Sequence, residues 1–98
     1  MAFYLAELLW DERAEEHIAR HGLTPEDVDE ACFDPDRHVT VARSGTYRLI
    51  GRTDAGAMLA VFLAPRPAVL AGPGCYYPVT ARRAASDEQR LYGRHRRR

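Results

Sequence analysis

The feature that most narrows the fold is a change of hydrophobic period at Asp34-Pro35-Asp36. Before it, apolar residues recur at helical spacing; after it, they alternate. A chain written this way makes its first helices before its sheet. Its 98 residues, 46% of them hydrophobic, suffice for a single domain with one modest core.

The second of the two expected helices has the sharper start. Thr24 is placed as its N-cap, Pro25 takes the first helical position, and Glu26 and Asp27 supply first-turn acids. Leu23 and Val28 stand at the positions of a hydrophobic staple, and Val28, Ala31 and Cys32 form its apolar stripe. The first helix is expected over 12–21, entered through Trp10 and an Asp11 N-cap and stopped by Gly22. Ala14, Ile18 and His21 share a face there, with His17 beside them. Residues 3–9 read equally as a short strand or as the lead-in to this helix.

Beyond Pro35, a strand over 38–43 points Val39 and Val41 inward and turns at Ser44-Gly45. The next, over 46–53, puts Tyr47 and Leu49 on one side and Arg48, Ile50 and Arg52 on the other. After a turn at Asp54-Ala55-Gly56, residues 58–63 are apolar on both faces, which marks a central strand. A loop rich in proline and glycine spans 65–74. The last strand, 76–82, sets Thr80 and Arg82 against Tyr77, Val79 and Ala81, and Pro78 suits an edge or the strand's beginning. It runs into a helix with Ser86 as N-cap and Gln89 completing a capping box, so that Arg82, Glu88 and Tyr92 approach one another. The predicted fold is α+β: two N-terminal helices, an antiparallel three- to four-stranded sheet meander with the helices on one face, and a C-terminal helix. A short, basic, flexible tail is expected over 93–98.

Charge is divided between the two halves. Residues 1–36 hold eleven acids and two arginines, whereas residues 37–98 hold three acids and twelve arginines, and the total is zero. Acidic helices could neutralise a basic sheet, or the second half could offer a positive face to a polyanion. The zero total argues against avid, non-specific nucleic-acid binding. No basic n-region, cleavage site or membrane-length apolar run stands out, and the two cysteines form no motif, so a cytoplasmic, reduced protein is expected. All basic residues other than histidine are arginine, which grips phosphate but cannot act as a general base.

Arg48, Arg52 and Arg82, with Arg83 beside the last, form a candidate phosphate or carboxylate site on one sheet. The plainer alternative pairs each arginine with an acid of the first helices. His17 and His21 lie four apart on a helix, but the rest of a zinc-binding H-E-x-x-H pattern is missing, so no metal and no cofactor is expected. His21 could equally be satisfied by the carbonyls at its helix end. No cysteine or serine nucleophile, P-loop or dinucleotide fingerprint is present. Arginines, a histidine and a tyrosine point instead to a phosphodiester, since metal-free RNA cleavage needs a base, an acid and cations around the phosphate.

Three stretches resemble the BrnT-like toxins of type II toxin–antitoxin systems. They are Trp10-Asp11 with His17-Ile18-Ala19-Arg20-His21-Gly22, then Tyr47-Arg48-Leu49-Ile50-Gly51, then Thr80-Ala81-Arg82-Arg83-Ala84 with Glu88 and Tyr92. The resemblance implies a RelE-like fold and ribonuclease toxin activity. It also implies a small antitoxin, encoded by the adjacent gene, that inhibits the toxin and binds operator DNA. It carries catalytic candidacy to His21, Arg48, Arg82 and Tyr92; Arg52 joins on geometric grounds, Arg83 as a further RNA-phosphate contact, and His17 as a second acid or base. His17, Arg20 and Thr80 stand where the family pattern has asparagine, lysine and serine, and Gly51 comes one residue early. Arg20 cannot take over a lysine's work as base. The partners implied are RNA and the antitoxin, with no membrane; a homo-oligomer is compatible. The alternative is a non-catalytic protein-binding domain on the same scaffold, docking an acidic partner segment.

Overall fold

The structure, a computed structural model, describes residues 3–66 and 72–96. The elements are β1 (Glu7–Leu8), α1 (Glu12–Ala19), α2 (Pro25–Cys32), β2 (His38–Val41), a 3-10 turn (Arg43–Gly45), β3 (Tyr47–Arg52), β4 (Met58–Pro65), β5 (Cys75–Arg83) and α3 (Ser86–Arg96). The strands form one sheet in the order β1-β5-β4-β3-β2. Strands β2 to β5 are the expected antiparallel meander. The fifth strand, β1, precedes α1 and pairs parallel with Cys75 and Tyr76. The ambiguous stretch before α1 is therefore partly strand. It is held by Ala6 N–H donating to the Gly74 carbonyl at 2.8 Å and Leu9 N–H to the Tyr76 carbonyl at 2.9 Å, with Leu5 and Leu8 buried beneath.

Local signals set the two short helices. Asp11 accepts the Ala14 N–H at 2.8 Å, and Thr24 and Asp27 make a reciprocal capping box at 3.2 and 3.0 Å. Helix α1 ends earlier than 21. Gly22, at φ +75°, closes a Schellman turn in which Leu23 N–H reaches the Ile18 carbonyl and Gly22 N–H the Ala19 carbonyl. His21 is thereby carried off the buried stripe and is exposed. Ile18, Leu23, Val28, Ala31 and Cys32 meet Leu49, Leu59, Val61, Leu63 and Ala81 in the main core. Gly51 marks the closest approach of α2 to the sheet: a Cβ there would lie 1.9 Å from the Ala31 carbonyl oxygen.

The helices do not share one face. Helices α1 and α2 cover the side bearing Leu49 and Val61, while α3 lies on the other side, where Ile50, Ala84 and Tyr92 form a second core with Met58 and Leu91. The cause is in β3 and β4. Ile50 alternates with Leu49, both are fully buried, and a sheet apolar on both faces needs cover on both. Val41, expected inward, is 76% exposed at the end of edge strand β2. The first residue of α3 is Ser86, so the cap moves to Ala85: Gln89 N–H donates to the Ala85 carbonyl at 2.9 Å, and Glu88, not Gln89, folds back onto the Ala85 N–H at 2.8 Å. The helix runs on to Arg96, so 93–96 is helical rather than a tail. Residues 97–98 and the middle of the expected 65–74 loop, 67–71, lie outside the described residues.

Candidate functional site

Strand alternation puts Arg48, Ile50 and Arg52 of β3 on the face covered by α3. The register sets Arg82 of β5 opposite Ala60, which is itself opposite Ile50, so Arg82 opens onto the same face. Three of the expected arginines are thus brought to one side of the sheet. Arg83 alternates away from Arg82, pairs with Leu59 and is exposed.

Glu88 ties two of these arginines together. Its carboxylate, 2% exposed, accepts Arg82 through both terminal nitrogens, at 2.7 Å on Oε1 and 3.0 Å on Oε2. Arg48 reaches Oε2 at 3.3 Å, and the Ala85 N–H completes the set on Oε1. The arginine side chains remain 26% (Arg48) and 39% (Arg82) exposed. The Arg82 guanidinium, then burial acting the other way, then the Ala85 N–H set the net result: Glu88 is held below the ordinary carboxylate range. Arg82 is correspondingly raised, chiefly by its bond to Glu88. The acid that pairs these arginines comes from the last helix, not from the first two. Its signal was the position three residues after Ala85, where a glutamate can close onto the cap's N–H.

Tyr92 and Arg52 belong to a second knot. The Tyr92 hydroxyl, on a side chain 2% exposed, donates to Asp34 Oδ2 at 2.6 Å. Asp34 also accepts the N–H groups of Arg52 at 2.9 Å and Asp36 at 2.9 Å. The Arg52 guanidinium lies 5.5 Å from the centre of the Tyr92 ring. Burial followed by the Asp34 hydrogen bond pushes the Tyr92 phenol up to about 12. Partial burial would raise Asp34, but the Tyr92 hydroxyl and the two N–H donors outweigh it and hold the carboxyl down. Tyr92 is therefore a tether between α3 and the segment after α2, with its hydroxyl committed.

His17 and His21 are not brought to the arginines. They ride on or just beyond α1, which packs on the opposite face through Ala14 and Ile18. His17 lines a depression of about 390 Å³ with Asp11, Arg13, Arg66, Tyr77 and Val79, where Tyr77 donates to Asp11 at 3.0 Å. The histidines on the arginine face are His38 and His95, whose rings sit 4.8 Å apart. His38 pairs with Ile50, and its neighbour Thr40 pairs with Arg48, making His38 a diagonal cross-strand neighbour of Arg48. Such neighbours stand roughly 7–8 Å apart at the backbone. The alternation of 38–43 across the Ser44-Gly45 turn carries this placement, whereas the i, i+4 spacing marks only His17 and His21.

Comparison with protein-family models and with curated protein sequences found no match. Among the described residues, no group of three or more His, Cys, Asp or Glu side chains is disposed to hold a metal ion. No helix among them is long and apolar enough to cross a membrane.

Proposed function

We propose that the chain is a metal-independent endoribonuclease, the toxin of a type II toxin–antitoxin pair, on the RelE-like scaffold that its resemblance to BrnT-like toxins implies. The observation that supports this reading best is the pair of guanidiniums on one sheet face. Arg48 and Arg82, from β3 and β5, are oriented by one buried carboxylate and keep part of their surface in water. Glu88 takes one charge of two, so a net positive clamp with spare N–H donors faces outward, suited to a phosphodiester. In this reading His38 and His95 do the acid–base work in place of His17 and His21, and Tyr92 positions α3. Expression should arrest growth, and the product of the adjacent gene should relieve it. His38→Ala should cut cleavage by purified protein by about 10²–10⁴-fold, the usual worth of a general acid or base, while His21→Ala leaves it unchanged. A protein that is harmless in cells and inert on RNA when purified ends the proposal.

One observation favours the second reading, a non-catalytic domain that docks an acidic partner segment. Both arginines are already engaged by Glu88, as they would be if their work were to hold α3 on the sheet. A stable partner complex that is indifferent to His38→Ala, from a chain without effect on RNA, would select it.

A further inference from the structure

The arginine face contains an aromatic residue that neither knot uses. Thr40, Arg48, Phe62 and Thr80 are successive register partners, so they form one row across β2, β3, β4 and β5. Helix α3 covers the neighbouring positions Ile50 and Met58 with Tyr92 and Leu91, and Phe62 belongs to neither buried cluster. Phe62 is half-buried in the middle of the row. On its β5 side the Arg82 guanidinium lies 5.5 Å from the ring centre. On its β2–β3 side a depression of about 270 Å³ is lined by Thr40, Val41, Ala42, Arg43, Arg48 and Phe62. The register also slips between Phe62 and Leu63, where β5 spends an extra residue between Thr80 and Pro78. Bulges of this kind re-aim side chains beside functional sites.

A partly exposed phenyl ring on a sheet face, with an arginine from each adjoining strand, is the arrangement by which sheets bind single-stranded nucleic acid. The ring stacks a base and the cations take the flanking phosphates. The depression is smaller than the roughly 300–1,000 Å³ that encloses a drug-sized ligand, which suits one unit of a polymer. We propose that Phe62 is the base-stacking platform of a single-strand RNA subsite, with Arg48 and Arg82, held together by Glu88, gripping the phosphate beside the stacked base and Arg43 at its rim. The choice of RNA as the polymer rests on the ribonuclease reading; the stacking geometry stands independently of it.

The test uses the full chain and a short single-stranded deoxyoligonucleotide, which lacks the 2′-hydroxyl nucleophile and stays intact. Binding is followed by fluorescence anisotropy, and circular dichroism checks that each variant is folded. Phe62→Leu keeps the apolar bulk and should weaken binding roughly 5- to 150-fold, the usual worth of one stacked base. Phe62→Trp should retain affinity, and the emission of its added indole should be quenched by the oligonucleotide. An abasic strand of equal length should bind more weakly and be indifferent to Phe62→Leu. Unchanged affinity of Phe62→Leu overturns the proposal, as does an equal loss on the abasic strand. It is likewise overturned if Phe62→Leu spares the oligonucleotide but weakens an Asp/Glu-rich peptide, which would make the face a protein-docking surface. Base-dependent binding lost in Phe62→Leu, from a chain that neither cleaves RNA nor arrests growth, upholds the subsite and rejects the ribonuclease. Active cleavage with oligonucleotide binding unaltered by Phe62→Leu does the reverse.

Discussion

Glu88→Gln isolates the charge that holds α3 against the sheet. The amide has nearly the same shape and can still accept the Ala85 N–H, so the cap survives and no cavity opens. What is lost is the negative charge receiving two bonds from Arg82 and one from Arg48. Hydrogen bonds to charged groups contribute about 1.5–3 kcal/mol each when well formed. Here Arg82 is 39% exposed and Arg48 26%, so water recovers much of their solvation once the carboxylate is gone. The net cost at neutral pH should be about 2 kcal/mol. For a domain of this length that is a fall in Tm of roughly 8–16 °C. The pH dependence has a definite sign. The Glu88 carboxyl is held down in the folded protein, so its contribution is present above the unfolded carboxyl value of about 4.3 and is lost as pH falls through the lower folded value. The gap between wild type and Glu88→Gln, measured by urea unfolding, should be widest near neutrality and close in strong acid. A gap below about 0.5 kcal/mol at pH 7, or one that does not narrow in acid, would refute the buried-charge argument.

Two further perturbations test the packing and the tether. Gly51→Ala forces a Cβ onto the Ala31 backbone, which cannot swing aside as a side chain could, so it should cost about 1–3 kcal/mol or more; a neutral result in chemical denaturation would mean that α2 does not lie this close. Tyr92→Phe removes the hydroxyl from Asp34, which keeps two backbone donors, and should cost about 1–2 kcal/mol near neutrality. Because the folded Tyr92 phenol is raised to about 12, its contribution is complete below the unfolded phenol value of about 10 and fades as pH rises through 12. Wild type should therefore lose stability faster than Tyr92→Phe over that alkaline interval, and parallel losses in the two proteins would contradict the assignment.

Much of the scaffold was legible because its signals are local. The Asp11 cap, the Thr24–Asp27 box, the Gly22 stop, the turns at Gly45 and Gly56, and the alternation of β3 depend on residues within a few positions of one another. Those rules act through backbone hydrogen bonds and allowed φ values, which the neighbouring side chains settle. The same alternation correctly grouped Arg48 with Arg52, and the final strand added Arg82.

What only the tertiary structure decided depends on pairings far apart in the chain. The side of the sheet that α3 covers follows from Ile50 needing burial opposite Leu49, and a cap sequence carries no information about that. The partner of Arg48 is forty residues away at Glu88, and the partner of Tyr92 is fifty-eight away at Asp34. Once α1 and α3 lie on opposite faces, the histidines near the arginines become His38 and His95, and the conspicuous His17 and His21 are left behind the sheet. By itself the sequence determined which side chains share a face along β3, whereas the bulge between Thr80 and Pro78 broke the expected alternation of β5 and set Tyr77 opposite Ala64, on the side of Phe62 and Thr80. Which helix closes over that face, and so which charges and rings meet there, was settled by burying both sides of one sheet at once.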